Sequence, residues 1–213
     1  MKKLLCLLIF ITILSRMNAQ ELKSIALNTP DKTRGLPVMQ AFEKRASASG
    51  FTSDKLKLQD LSDLLWAADG INRPELKKRT APSAMNAQDI DLYLFMEEGV
   101  YVYNASANSL DPIVAGDQRL AVAGRQAEFA KASVILLMVS DVSRFPGSDD
   151  TGKSSIAAMD AGIVSQNISI FCAGVGLSTR PRATMDLVKL REILKLKDSQ
   201  FPLLNNPVSY PAK

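Results

Sequence analysis

The stretch from Ser154 to Ala173, SSIAAMDAGIVSQNISIFCA, constrains the fold more than any other part of this 213-residue chain. It is rich in Ala, Ile, Val and Met with few charges, so as a helix it is apolar nearly all round and must be covered on most sides. In a chain of this length, such a helix lies at a domain centre or in a dimer interface. The length suits a single domain with one full core, and 46% hydrophobic with 23% charged residues is an ordinary globular make-up.

The rest of the chain mixes two periodicities. Residues 20–36 carry Pro, Gly and mixed charge and read as a connecting arm. PVMQAFEKRAS reads as a helix with Pro37 in its first turn and Val38, Ala41 and Phe42 on one side. In LQDLSDLLWAADG, Leu61, Leu64, Leu65 and Ala68 form one stripe, Gly70 is the stop, and Trp66 reads as core. DIDLYLFMEEGVYVYN reads as a hairpin with Ile90, Leu92, Leu94 and Met96 on one face. A helix is expected from Leu120 to Lys131, then a buried strand ASVILLMVSD, an amphipathic helix DLVKLREILKLK, and an extended close, FPLLNNPVSYPAK. Strands and helices with at least one hairpin favour an α+β fold over a doubly wound parallel sheet.

Several chemistries drop out. The chain has no histidine, which removes Ser-His-Asp and Cys-His nucleophile pairs and His-ligated zinc. Cys172, in the apolar setting ISIFCAGVG, reads as an inert core thiol. The pI near 9.1 suggests nucleic acid, but Lys2, Lys3 and Arg16 sit in the first 19 residues. Taking those three from 26 bases leaves 23 against 22 acids, a net charge of about +1, with no basic patch or RNA-binding motif to drive phosphate binding.

MKKLLCLLIFITILSRMNAQ has a cationic start, an apolar run from Leu4 to Leu14 and Ala19 before Gln20, as a secretory signal over residues 1–19 would. The run is too short to span a bilayer comfortably, so no stable membrane insertion is expected after cleavage. A periplasmic or secreted protein is expected, exported by the general route. GSDDTGKS, residues 147–154, matches the phosphate-binding loop G-x-x-x-x-G-K-[ST] letter for letter. Asp149 and Asp150 would oppose phosphate, six residues separate the expected strand end from Gly147, and too little chain follows for the parallel strands of a nucleotide hydrolase. The segment reads instead as a polar loop with Ser154 as N-cap.

Five fragments carry the functional reading: EKRASASGF, LSDLLWAADGINR, KRTAPSAMNAQ, GLSTRPRATMD and LLNNPVSYPAK. In this order they resemble the nitroreductase flavoproteins, most closely the branch containing the dehydrogenases of thiazole and oxazole peptide maturation, over roughly residues 37–213. The resemblance implies an FMN-binding α+β homodimer with a central, mainly antiparallel sheet flanked by helices and active sites at the subunit interface. It implies that Arg45, with Ala46 beside it, faces the FMN phosphate, and that Ser47 and Ser49 bond the phosphate or ribityl chain. Asn86 and Gln88 would read the isoalloxazine edge or ribityl hydroxyls. The N–H groups of Ala183 and Thr184 would point to flavin N5 and O4, and Lys213 is the candidate for a late basic contact. The flavin, not a side chain, would move hydride to or from a small-molecule substrate, in nitro or quinone reduction or in a dehydrogenation.

On residues alone, Arg45 could equally be a partner for a helix C-terminus, Asn86 and Gln88 turn residues, and Arg180 and Arg182 exposed charges. Ala46 and Ser49 stand where relatives often carry basic residues, and Ser209 replaces the glycine of a terminal Gly-Tyr-Pro. The alternative is therefore an exported protein of this fold that has lost flavin chemistry and serves as a binding module.

Overall fold

The computed structural model describes residues 21–147 and 152–212. The expected leader, the middle of GSDDTGKS and Lys213 lie outside the described residues. In chain order the elements are β1 (Ile25–Ala26), α1 (Val38–Lys44), α2 (Leu58–Asp69), β2 (Ile71–Arg73), β3 (Lys78–Arg79), β4 (Ile90–Phe95), β5 (Gly99–Asn104) and β6 (Ser109–Ala115). They continue with α3 (Arg119–Ala123), β7 (Val134–Asp141), α4 (Lys153–Val175), β8 (Ser178–Thr179), α5 (Leu187–Leu194) and β9 (Gln200–Ser209).

Seven strands form one sheet in the order β1-β6-β5-β4-β7-β9-β8, and every pairing in it is antiparallel. This is the expected α+β architecture, and among the described residues it has no parallel strands to carry a nucleotide-hydrolase loop. β7 is buried along its whole length because helices cover both faces of the sheet. On one face Leu92, Leu94, Leu136 and Met138 pack with Leu61, Leu64 and Leu65 of α2 and Ala161, Val164 and Ile168 of α4. On the other, Phe95, Ile135, Leu137 and Val139 pack with Ala121 and Val122 of α3 and Leu190 and Leu194 of α5. Ile90, Leu92, Leu94 and Met96 share one core, and the hairpin joins Tyr93 to Val102 and Leu94 to Tyr101.

α2 ends at Gly70, a position that only glycine fits: a Cβ there would lie 2.5 Å from Trp66 Cδ1 and 2.7 Å from Trp66 O. Trp66 is half-buried, its indole N–H donating to Ile71 O at 3.1 Å, with Lys32 Nζ 5.2 Å from the ring centroid. The arm also contributes β1, which pairs with β6. β9 is an interior strand between β7 and β8.

Three expectations are corrected. The helix expected from Leu120 to Lys131 is broken: α3 stops at Ala123, and a separate 3-10 turn covers Ala127–Lys131. The break falls at Gly124, φ 60°, where an added Cβ would lie 3.1 Å from Met185 Cα as the segment entering α5 crosses it. Ser154 does not cap α4, which begins one residue earlier with Gly152 at the cap position. Of the α1 face, only Ala41 is buried, while Val38, Met39 and Phe42 are exposed.

α4 buries Ala157, Asp160, Ala161, Val164, Ser165, Ile168, Ser169 and Cys172 against the sheet and leaves Ser155, Met159 and Gln166 open along another side. Its covering within the protomer is thus one-sided. Cys172 is fully buried, and burial pushes its thiol well above the usual range, as an inert core thiol requires.

Candidate functional site

The expected site residues fall on two regions of the protomer, one towards each end of α4. The first follows α1. Arg45 closes that helix, its N–H donating to Ala41 O and Phe42 O at 2.9 and 3.3 Å, and the chain then runs extended past β8, where Ala48 N–H donates to Thr179 O at 2.9 Å. Ala46 and Ala48 line a cleft with Ser169 and Ala173 of α4 and Ser178 and Thr179 of β8. Arg45, Ala46, Ser47 and Ser49 are all exposed, and among the described residues no group pairs with the guanidinium or with either hydroxyl.

Ala183 and Thr184 lie beside this region. Phe129 joins the two segments: it packs edge-on to Phe51 at 5.7 Å, with the Arg182 guanidinium 4.3 Å and that of Arg180 5.7 Å from its ring centroid. Arg182 is buried, which corrects its reading as an exposed charge. Its guanidinium donates to Asn205 Oδ1, Ala123 O and Gln126 Oε1 at 2.9, 2.9 and 3.0 Å. Burial pushes its pKa below the usual arginine range. Asn205 Nδ2 also donates to Thr184 O at 3.2 Å, so the segment is held from behind. Ala183 and Thr184 themselves are exposed, and no acceptor among the described residues takes either N–H. They border an open cleft of about 750 Å³ with Leu120, Leu187 and Val188.

The second region is the loop between β3 and β4. Three residues bearing side chains take left-handed backbone within four positions: Met85 (φ 53°), Asn86 (φ 55°) and Gln88 (φ 47°). Such positions cost on the order of 1 kcal/mol each and persist where surroundings enforce them. Ala84 N–H donates to both oxygens of Asp160 on α4 at 2.9 and 3.2 Å, and Gln88 N–H to Ser83 Oγ at 2.8 Å. The Gln88 carboxamide is engaged at both ends, accepting from Arg79 Nε at 3.1 Å and donating to Lys77 O at 2.9 Å. Asn86 Oδ1 accepts from Lys78 Nζ at 2.7 Å. Asn86 and Gln88 rim a cleft of about 250 Å³ with Arg73, Lys78, Arg79 and Ser83, a cationic setting.

Asp160 and Ala173 are thirteen residues apart on one helix, roughly 20 Å of rise. The protomer therefore sets the Arg45 segment by the Ala173 end of α4 and the Asn86 and Gln88 loop by the Asp160 end, with Ala183 and Thr184 on a segment tied to the former through Phe129 and lining a cleft of its own. Sequence reasoning missed the supports: Arg79 and Ser83 that brace the loop, and Asp160 that anchors it. A lone Asp in the apolar run AAMDAG was the available signal, since a charge inside a buried helix needs a partner.

The departure at Ser209 has a structural account. Its Oγ accepts Thr52 N–H at 3.1 Å and donates to Tyr210 O at 2.7 Å, fixing the end of the Arg45 segment. Tyr210 OH then donates to Asp60 Oδ2 at 2.6 Å and accepts Lys57 N–H at 3.1 Å at the start of α2.

A family model described as Nitroreductase family matches residues 42–209. A Methanocaldococcus jannaschii protein named as a candidate nitroreductase is 30% identical over 174 residues, spanning 78% of this chain and 86% of the relative. The crystal structure of a candidate nitroreductase from Ralstonia eutropha JMP134 superposes with a TM-score of 0.84 at 30% identity, covering 90% of this chain and 91% of that one. The Escherichia coli microcin synthetase McbBCD complex, with truncated pro-MccB17 bound, matches at TM-score 0.71 and 19% identity over 94% of this chain and 82% of that one, a likeness of fold alone.

Proposed function

Because the chain belongs to the nitroreductase family of oxidoreductases, we propose that it binds FMN at a site shared between two copies and transfers hydride between the flavin and a small molecule. The observation that carries this reading is the open polar set of the first region. Arg45, Ser47 and Ser49 and the N–H groups of Ala183 and Thr184 are exposed and lack partners among the described residues. An anionic phosphate suits the guanidinium and hydroxyls, and a ring that gains negative charge suits two undirected N–H donors.

FMN, when bound, supplies hydride transfer at N5. The chain binds and orients it. Arg45 with Ser47 and Ser49 holds the phosphate end. Asn86 presents its Nδ2 from a loop whose neighbours Lys78 and Arg79 add positive charge, while Gln88 braces that loop. Ala183 and Thr184 offer donors on a segment kept rigid by Arg182 and Asn205.

The separation along α4 argues for two copies. Antiparallel pairing of two α4 helices about a two-fold axis sets the loop end of one beside the Arg45 end of the other, completing two equivalent sites. Exposed Met159, with Val38, Met39 and Phe42 of the adjoining α1, would be covered by that pairing. The five fragments in order support a dehydrogenation like that of the peptide-heterocycle dehydrogenases, with nitro or quinone reduction the competing activity. Export through the leader completes the proposal. The test is turnover of the reconstituted protein: bound FMN is reduced by dithionite and reoxidised by a nitroaromatic or quinone acceptor. Stoichiometric FMN that no acceptor reoxidises would instead favour a binding module.

A further inference from the structure

Behind the Asn86 loop, carboxylates from three elements converge in the core: Asp69 at the end of α2, Asp89 just before β4 and Asp160 on α4. Asp89 is fully buried. Ser140 of β7 donates a short bond to its Oδ2, while its Oδ1 is buried with no hydrogen-bond partner among the described residues. The buried Asp160 carboxyl is the neighbouring acid that acts on it. Two ionised carboxylates cannot bond each other, and an orphan buried oxygen costs about 1–3 kcal/mol. One proton between the two groups satisfies it. The nearby cations are already committed, Arg79 of β3 to Asp69 at 3.0 Å and Arg144 to Asp91 of β4 at 2.6 Å, while Asp141 of β7 accepts from Ser143. Arg144 is the cation that acts on Asp89, and its ion pair with Asp91 leaves it shared rather than free to neutralise two negatives.

Asp160 is also the group that takes Ala84 N–H at the entry to the left-handed run Met85, Asn86 and Gln88. We propose that Asp89 and Asp160 hold one proton between them and thereby act as a positioning pair for the loop that presents Asn86; when the proton leaves, repulsion between the two buried carboxylates draws Asp160 off Ala84 N–H. The use of the loop rests on the flavin reading above, whereas the shared proton does not. Burial, and then the neighbouring Asp160 carboxyl, push Asp89 up to about 6, against the lowering bond from Ser140. A folded value raised above the unfolded one gives stabilisation that is complete below about pH 4 and is lost as pH rises through about 6.

The test compares the full chain with its Asp89→Asn variant, in which an amide donates to Asp160 at every pH. Infrared spectra of the parent should show, beyond the band that Asp69 gives in both proteins, a protonated carboxyl band that disappears near pH 6 and is missing from the variant. Hydrogen exchange at Ala84 N–H should quicken through the same window in the parent only, and FMN affinity should fall there by about tenfold in the parent only. If that additional band is absent from the parent, or the parent and variant spectra titrate identically, the shared proton is overturned. A band that titrates while Ala84 exchange stays constant overturns the positioning role. Failure to bind FMN at any pH strikes the flavin reading and leaves the infrared and exchange arms decisive. Should Asp89→Asn not fold, the parent's own infrared and exchange titrations decide, with Asp160→Asn as the second variant.

Discussion

Arg182 and Asn205 are bound to each other three times: Arg182 N–H to Asn205 O at 2.8 Å, Asn205 N–H to Arg182 O at 2.7 Å, and Arg182 Nη1 to Asn205 Oδ1 at 2.9 Å. The arrangement ties the chain just before Ala183 and Thr184 to interior strand β9. A rigid strand thus stands behind two N–H groups that no acceptor among the described residues takes.

Replacing Arg182 by Met should cost about 2–4 kcal/mol, because Asn205 Oδ1, Ala123 O and Gln126 Oε1 all lose their donor. Arg182→Lys should recover little of this, since one ammonium does not span three acceptors in a planar fork. Urea denaturation midpoints check both variants.

Ser209→Gly should lower stability by about 1 kcal/mol because Thr52 N–H loses its acceptor. A thermal melt showing no loss would mean that water replaces the hydroxyl at no cost.

Arg45 bonds nothing through its side chain among the described residues, so Arg45→Ala should change stability by less than about 0.5 kcal/mol. It should weaken FMN binding by about 10- to 100-fold, the worth of a hydrogen bond to a charged group. Arg45→Ala and Asn86→Ala proteins, each binding poorly alone, should regain about one quarter of the sites when dimers are re-formed from an equal mixture. Calorimetry on the mixture reads this directly, and no recovery would place both residues in one protomer's site.

Asp69 gives a second pH signature. Burial pushes its carboxyl up to about 7 despite Arg79 at 3.0 Å. With the folded value above the unfolded one, its contribution is complete below about pH 4 and is lost as pH rises through about 7. Melting temperatures from about pH 4 to about pH 8 should therefore decline less steeply for Asp69→Asn than for the parent.

Where local pattern and packing agree, the fold was legible in the sequence. The Leu61, Leu64, Leu65 and Ala68 stripe, the alternation along β4 and the apolar run of β7 each bury the side chains their spacing selects. The misreadings come from contacts between distant segments. Helix 120–131 breaks because Met185 crosses Gly124, and Arg182 is buried because Asn205, 23 residues on, receives it. For the candidate site the sequence supplies residue types in order, but not geometry. Gln88 has both ends of its amide engaged because a left-handed backbone turns it towards Arg79 and Lys77, and no spacing rule foretells that.

The most direct test of the central claim is the visible absorption of the purified protein as FMN is added. The account predicts saturable binding of one FMN per chain, with a yellow protein after desalting and a perturbed flavin band. A protein that stays colourless in excess FMN, while folded and dimeric, would contradict it.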